Sequence, residues 1–186
     1  MKRLGTVLGF LLLTSLTTGC INDGVLDEGA TWQDFTSDDG RFTIQMPGSP
    51  AQQSQPMMGT TMHLFSVESP DLMYGVGYAD MPIPGLERES AMQIDNRLNG
   101  AVQGSVNNIR GKLTRQASVT LGSYPGKEYE ANLPDGRGII RSRIYFVGKR
   151  LYMLMVAGKP NLVQSDDTKK FIGSFKLVTA TALRPK

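Results

Sequence analysis

Residues 41–46 alternate apolar and polar positions, with Phe42, Ile44 and Met46 on one side, and stop at Pro47-Gly48-Ser49-Pro50. A strand has a side-chain period of two, so this predicts a half-buried strand closed by strand-breaking residues. Residues 62–68 and 72–79 are two further strand candidates, joined through Ser69-Pro70-Asp71. In the second, Tyr74, Val76 and Tyr78 share one face and Gly75, Gly77 and Ala79 the other, a small-residue face that admits close approach of a helix or another backbone. After Pro82 and Pro84 the period changes. Ala91, Ile94, Leu98, Ala101 and Val102 recur at steps of three and four, predicting an amphipathic helix over 87–104. Gly100 and Gly104 each cost ~1 kcal/mol there relative to alanine, so the helix is expected to fray at its end unless packing holds it.

The rest of the chain is strand-rich. Residues 119–121, 127–133, 138–147 and 151–157 are separated by short turn sequences at 123–126, 134–136 and 148–150, which predicts an antiparallel meander. Residues 151–157 have no polar face and are expected to form a central strand covered on both sides. Before it, Ile140, Ile144 and Phe146 point one way and Arg141 and Arg143 the other. A two-residue Asp135-Gly136 turn sets Glu130 opposite Arg141 and Glu128 opposite Arg143; a three-residue Pro134-Asp135-Gly136 loop slips the register by one and loses both pairs. The pattern leaves these two open. Last, Ser165 as N-cap, Asp166 and Asp167 at the positive helix start, and inward Phe171, Ile172 and Phe175 predict a short helix followed by an extended 175–178.

The order is strands, helix, several strands, short helix, and the fold class is α+β: an antiparallel β-sheet flanked by helices. That order, with Gly40-Arg41-Phe42-Thr43-Ile44-Gln45-Met46-Pro47 near the start and Lys170-Phe171-Ile172-Gly173-Ser174-Phe175-Lys176-Leu177 at the end, resembles the PsbP-like fold over roughly residues 35–178. The group includes extrinsic photosystem subunits and DcrB-type bacterial lipoproteins. The resemblance implies a domain that binds or stabilises partners and has no shared catalytic set, so it transfers no functional residue.

At the N-terminus, Lys2 and Arg3 precede the uncharged run 4–16, and Thr17, Thr18 and Gly19 lead to Cys20. A spanning helix needs ~20 apolar residues, so the run reads as a secretory signal. Leu16-Thr17-Thr18-Gly19-Cys20 resembles a lipobox, with Thr17 where an aliphatic residue is commoner. The resemblance implies diacylglyceryl transfer to the Cys20 sulfur, cleavage before it and acylation of the new amino terminus. Several chains on one residue meet the need for more than one membrane signal. Cys20 is the only cysteine, so no disulfide framework is expected and the fold rests on its core. The expected organisation is a signal peptide at 1–19, a lipid-anchored acidic tether at 20–33, one α+β domain at 34–180 and a tail at 181–186. Ile21 is not the aspartate that favours inner-membrane retention in enteric lipoproteins, which leans the placement toward the outer membrane.

Charge is uneven. Residues 21–104 carry three basic and twelve acidic side chains, and residues 105–186 carry fifteen basic and five acidic. Lys127, Arg137, Arg141, Arg143, Lys149 and Arg150 are therefore the candidate patch for an anionic partner. Solvated strand edges and turns, partly paired to Glu128 and Glu130, are the plainer account of the same residues. Nucleic acid is not expected as a partner, because an exported lipoprotein is in the wrong compartment and no aromatic-interleaved basic motif occurs.

Catalytic and metal chemistry find little to use. His63 is the only histidine and no Gly-x-Ser-x-Gly elbow is present, so a hydrolase would have to be built around His63. Asp38-Asp39-Gly40 lacks the spacing of a calcium loop and reads as a turn, and Gly75-Val76-Gly77 lacks the third glycine of a phosphate cradle. Met57, Met58, Met62 and His63 offer soft ligands for Cu(I), but one continuous strand would pair Met58 with Met62 and Met57 with His63 on opposite faces. Core filling is the simpler role for these methionines. No cofactor and no enzymatic activity are expected. A small-ligand carrier would require an apolar cavity between sheet and helices.

Overall fold

The structure, a computed structural model, describes residues 31–57 and 59–178. Cys20, the signal and tail segments, most of the tether and Met58 lie outside the described residues. The described chain opens on a hairpin of β1 (Trp32–Ser37) and β2 (Phe42–Pro47), turned at Asp38-Asp39-Gly40, where Ser37 Oγ accepts the Gly40 N–H at 3.0 Å. β1 begins inside the stretch assigned to the tether: Trp32 lies edge-on to the Tyr74 ring at 5.7 Å, with Lys170 Nζ 4.5 Å from its centroid.

A first meander follows, of β3 (Ala51–Met57), β4 (Thr60–Glu68) and β5 (Leu72–Asp80). Helix α1 (Ala91–Asn108) then carries the chain to the far edge. The second meander returns through β6 (Lys112–Leu121), β7 (Tyr124–Asn132), β8 (Ile139–Val147) and β9 (Arg150–Gly158), landing beside β5. The result is a seven-stranded antiparallel sheet, β3-β4-β5-β9-β8-β7-β6. Helices α2 (Pro160–Val163) and α3 (Asp166–Ser174) lead into β10 (Lys176–Leu177), which pairs with β2 to complete a three-stranded sheet.

The expected helix forms, displaced toward the C-terminus. Ser90 supplies its start through a capping box: Ser90 Oγ accepts the Gln93 N–H at 3.3 Å and Gln93 Oε1 accepts the Ser90 N–H at 2.9 Å. Gly100 and Gly104 have open space beside them, and the helix runs on because Leu98, Val102 and Val106 are buried on its inner face. Burying each such side chain stabilises by about 1.5–3 kcal/mol, so the three together outweigh the roughly 2 kcal/mol that the two glycines cost.

Two cores flank the large sheet. On one side Ile94, Leu98, Val102 and Val106 of α1 pack with Tyr129, Ala131, Ile140 and Ile144. On the other, Phe65, Val67, Tyr74, Val76, Tyr78, Tyr152, Leu154 and Val156 meet Phe42, Ile44 and Met46 of the small sheet and Phe171, Ile172 and Phe175 of the C-terminal segment. β9 lies fourth of seven strands with residues of both cores, as its unbroken apolarity predicted. The small face of β5 admits close neighbours, as expected. A Cβ at Gly77 would lie 2.9 Å from the His63 carbonyl oxygen of β4 and 3.1 Å from Met62 Sδ, and one at Gly75 3.1 Å from Met155 Cγ. Backbone and methionine side chains of the adjoining strands both use that space.

The β7–β8 hairpin takes neither predicted turn. A 3-10 turn at Pro134–Gly136 is followed by Arg137, and the hairpin closes where the Leu133 N–H bonds the Gly138 carbonyl at 2.9 Å. Four loop residues have the same parity as two, so the register is that of the two-residue alternative: Glu130 faces Arg141 and Glu128 faces Arg143.

Candidate functional site

The candidate basic residues do not assemble on one surface. Lys127 points toward α1, where its buried Nζ donates to Ser118 Oγ at 2.9 Å and meets Asp95 Oδ1 at 2.6 Å. This ion pair pins the helix to β7, and the hydrogen bond from Lys127 holds the Asp95 carboxyl below the usual range. Arg137 stays within its turn, donating to the Pro134 carbonyl at 3.1 Å. Lys149 is exposed in the β8–β9 turn, and Arg150, the first residue of β9, pairs with Asp80 of β5.

Arg141 and Arg143 occupy the face of β8 opposite to Lys127, because alternate residues of a strand face opposite ways and paired residues share a face. Glu128 bridges them: Arg141 Nη2 reaches Oε1 at 2.8 Å and Arg143 Nε donates to Oε2. Burial pushes the Glu128 carboxyl up, but the hydrogen bonds from Arg143 and Arg141 outweigh it and hold it below the usual range. Arg141 Nε is buried without a hydrogen-bond partner, 3.9 Å from Glu130 Oε1. The next residue out in that row is Arg115, exposed on β6 opposite Glu130. Across β8, β7 and β6 the row reads Arg141, Glu130, Arg115.

A second polar group surrounds the histidine. His63 on β4 shares a 3.0 Å hydrogen bond with Ser54 Oγ of the neighbouring edge strand and stacks on Tyr78, ring centroids 4.8 Å apart. Arg150 Cζ is 4.7 Å from the same Tyr78 centroid. Arg150 holds Asp80 through two 2.7 Å hydrogen bonds and donates to the Asp39 carbonyl at 2.6 Å, tying β9 to β5 and to the β1–β2 turn. Its hydrogen bond keeps the Asp80 carboxyl below its ordinary range. Ser54 is exposed on the strand surface, and both oxygens of the nearby carboxylate belong to Arg150. A histidine and a serine are therefore paired, but Asp80 is not free to orient the imidazole.

The methionine–histidine group divides otherwise than one continuous strand would have it. The chain reverses at Gly59, so Met57 pairs with Thr60 and falls on the same face as buried Met62, while His63 faces the opposite way. Among the described residues no group of three or more His, Cys, Asp or Glu could hold a metal ion, and no helix is long and apolar enough to cross a membrane.

No family model matches the sequence, and no curated protein matches it. Among solved structures, the chain is similar to the solution structure of cyanobacterial PsbP (CyanoP) from Synechocystis sp. PCC 6803, at 11% identity, over 89% of this chain and 98% of that one, with a TM-score of 0.56. It is also matched to PA94 of Pseudomonas aeruginosa, a protein of unknown function, at 12% identity over 83% and 99% of the two chains, with a TM-score of 0.44. The first likeness shows the fold: the domain is α+β and PsbP-like.

Proposed function

We propose that this chain is a bacterial envelope lipoprotein, anchored by lipid on Cys20, whose PsbP-like domain acts as a non-catalytic binding or stabilising module. The single observation that carries the module reading is the setting of His63. It lies on a strand surface beside exposed Ser54, and the acid that would complete a triad is locked by Arg150 at 2.7 Å. The CyanoP-like fold supports the same reading at the level of architecture. The Lys-Arg start, the apolar run and Gly19-Cys20 support the anchor, and Ile21 supports outer-membrane placement with the domain facing the periplasm or exterior. The partner would be another envelope protein.

Expression of the full chain in a bacterium, followed by Triton X-114 partition and mass spectrometry of the N-terminal peptide, tests the anchor. Wild type should enter the detergent phase with acylated Cys20 at its start, and Cys20→Ala should remain aqueous. An unmodified Cys20 in wild type overturns the anchor. Hydrolysis of p-nitrophenyl acetate by the purified chain, abolished in His63→Ala, would replace the module with the enzyme reading.

A further inference from the structure

The seven-stranded sheet ends on two unlike edges. β3 (AQQSQPM) carries Pro56, which has no N–H to offer an incoming strand. β6 (KLTRQASVTL) is longer, has no proline, and is irregular only between Leu113 and Arg115. From Arg115 to Leu121 it is regular, with no proline or bulge, and among the described residues no strand pairs beyond it, the kind of surface that accepts an added strand.

The phase of that edge follows from the hairpins. The Leu133–Gly138 hydrogen bond and the two-residue Gly122-Ser123 link both require that Arg115, Ala117, Val119 and Leu121 turn their backbone polar groups toward β7. Gln116, Ser118 and Thr120 therefore direct theirs outward. Side chains fix what would pair there. The row Arg141, Glu130, Arg115 alternates in sign across three strands and stops at the free edge on a cation. Arg115 is exposed and has no ion pair among the described residues. β6 itself holds Lys112 and Arg115 and no carboxylate, so a second copy of β6 could not continue the alternation.

We infer that the 115–121 edge of β6 is a strand-addition site for an extended segment of a different protein, bearing a carboxylate opposite Arg115 and small or apolar residues opposite Ala117 and Val119. The inference rests on the binding-module reading and names its surface. The incoming strand bonds to the outward groups of Gln116, Ser118 and Thr120, and its carboxylate adds the next sign in the row.

The probes are two fluorescent eight-residue peptides of alternating Thr and Val, one with a single Glu on the valine face and one with Gln in its place, titrated by anisotropy into the full chain in detergent. The Glu peptide should bind about two- to five-fold tighter than the Gln peptide, as an opposite-charge cross-strand pair allows. Arg115→Glu should reverse that preference. Thr120→Pro, which removes an outward N–H and no β7 bond, should weaken both peptides about five-fold while circular dichroism stays native. If Thr120→Pro misfolds, Arg115→Gln, which should equalise the two peptides, decides. Equal affinities in wild type, no binding, or a wild-type dimer by light scattering that Thr120→Pro converts to monomer each overturn the inference. Loss of peptide binding with Cys20-dependent detergent partition intact removes the strand-addition site and leaves the anchored module standing.

Discussion

The β4–β5–β9 part of the large sheet and its β6–β7–β8 part are built from the same antiparallel ladders but carry contrasting chemistry on the face toward the small sheet. Facing the small sheet, the first presents Phe65, Val67, Tyr74, Val76, Tyr152, Leu154 and Val156 to an aromatic core centred on Phe42. On the corresponding face, the second presents Glu128, Glu130, Arg141 and Arg143, held by mutual ion pairs, with only Tyr145 of that face buried in the aromatic core. The apolar half gains from removing area from water, a term indifferent to pH. The charged half gains only while each carboxylate stays ionised and partnered, so it is conditional. One sheet can thus devote one half to holding the fold and leave a polar half whose last row ends in an exposed arginine.

The contrast breaks most visibly in the apolar half. Leu154 is fully buried in β9, and Leu154→Ala should cost about 3–4 kcal/mol in urea unfolding, through lost transfer energy and an unfilled cavity. In the charged half, Glu128→Ala leaves two half-buried guanidinium groups without their shared acceptor. It should cost about 2 kcal/mol, less than a fully buried pair would, because Arg143 keeps partial solvent contact. Replacing Glu128, Arg141 and Arg143 together by Leu, Met and Met should restore most of that loss; a triple variant as unstable as Glu128→Ala would show that the charges are needed as charges.

Acid sharpens the comparison further. Glu128 and Asp80 both titrate below their ordinary values in the folded domain. Each therefore contributes stability that is fully present above the unfolded carboxyl value of about 4 and is lost as pH falls through the lower folded value. Urea midpoints measured from pH 7 down to pH 3 should fall more steeply below about 4 for wild type than for Glu128→Gln. Leu154→Ala should run parallel to wild type. The smallest effect belongs to the exposed Ser54–His63 pair: Ser54→Ala should shift stability by about 0.5 kcal/mol or less.

Wherever an element carried its own periodicity it was legible in the sequence. The alternation of Phe42, Ile44 and Met46, the two faces of 72–79, the stripe on α1 and the apolar 151–157 all reappear as strands or a helix with those faces buried. What was missed had no such pattern. β3 is an edge strand of glutamines with a proline and buries little, and the part of β6 before Val119 is half exposed and bulged, so neither shows a period of two. The first two residues of β1, Trp32 and Gln33, were given to the tether as a continuation of the polar, acidic 21–30 stretch, although Trp32 packs on Tyr74. The Ser90–Gln93 capping box was readable as Ser-x-x-Gln and marks the true helix start.

The candidate site was legible as charges but not as an arrangement. Arginines on one face of 138–147 could be seen, as could the two registers available to Glu128 and Glu130. What sent Lys127 to α1 and Arg150 to Asp80 was the position of other elements in space. By itself the sequence determined which residues alternate, where the apolar central strand lies, and that the only cysteine follows an uncharged run behind Lys2 and Arg3, because those are local properties of a chain. The tertiary structure decided which hairpin register holds, how the candidate cations divide between two faces, and which strand is left at the open edge. Those depend on loop parity and on which strands meet across distant parts of the chain, and no window of sequence contains them.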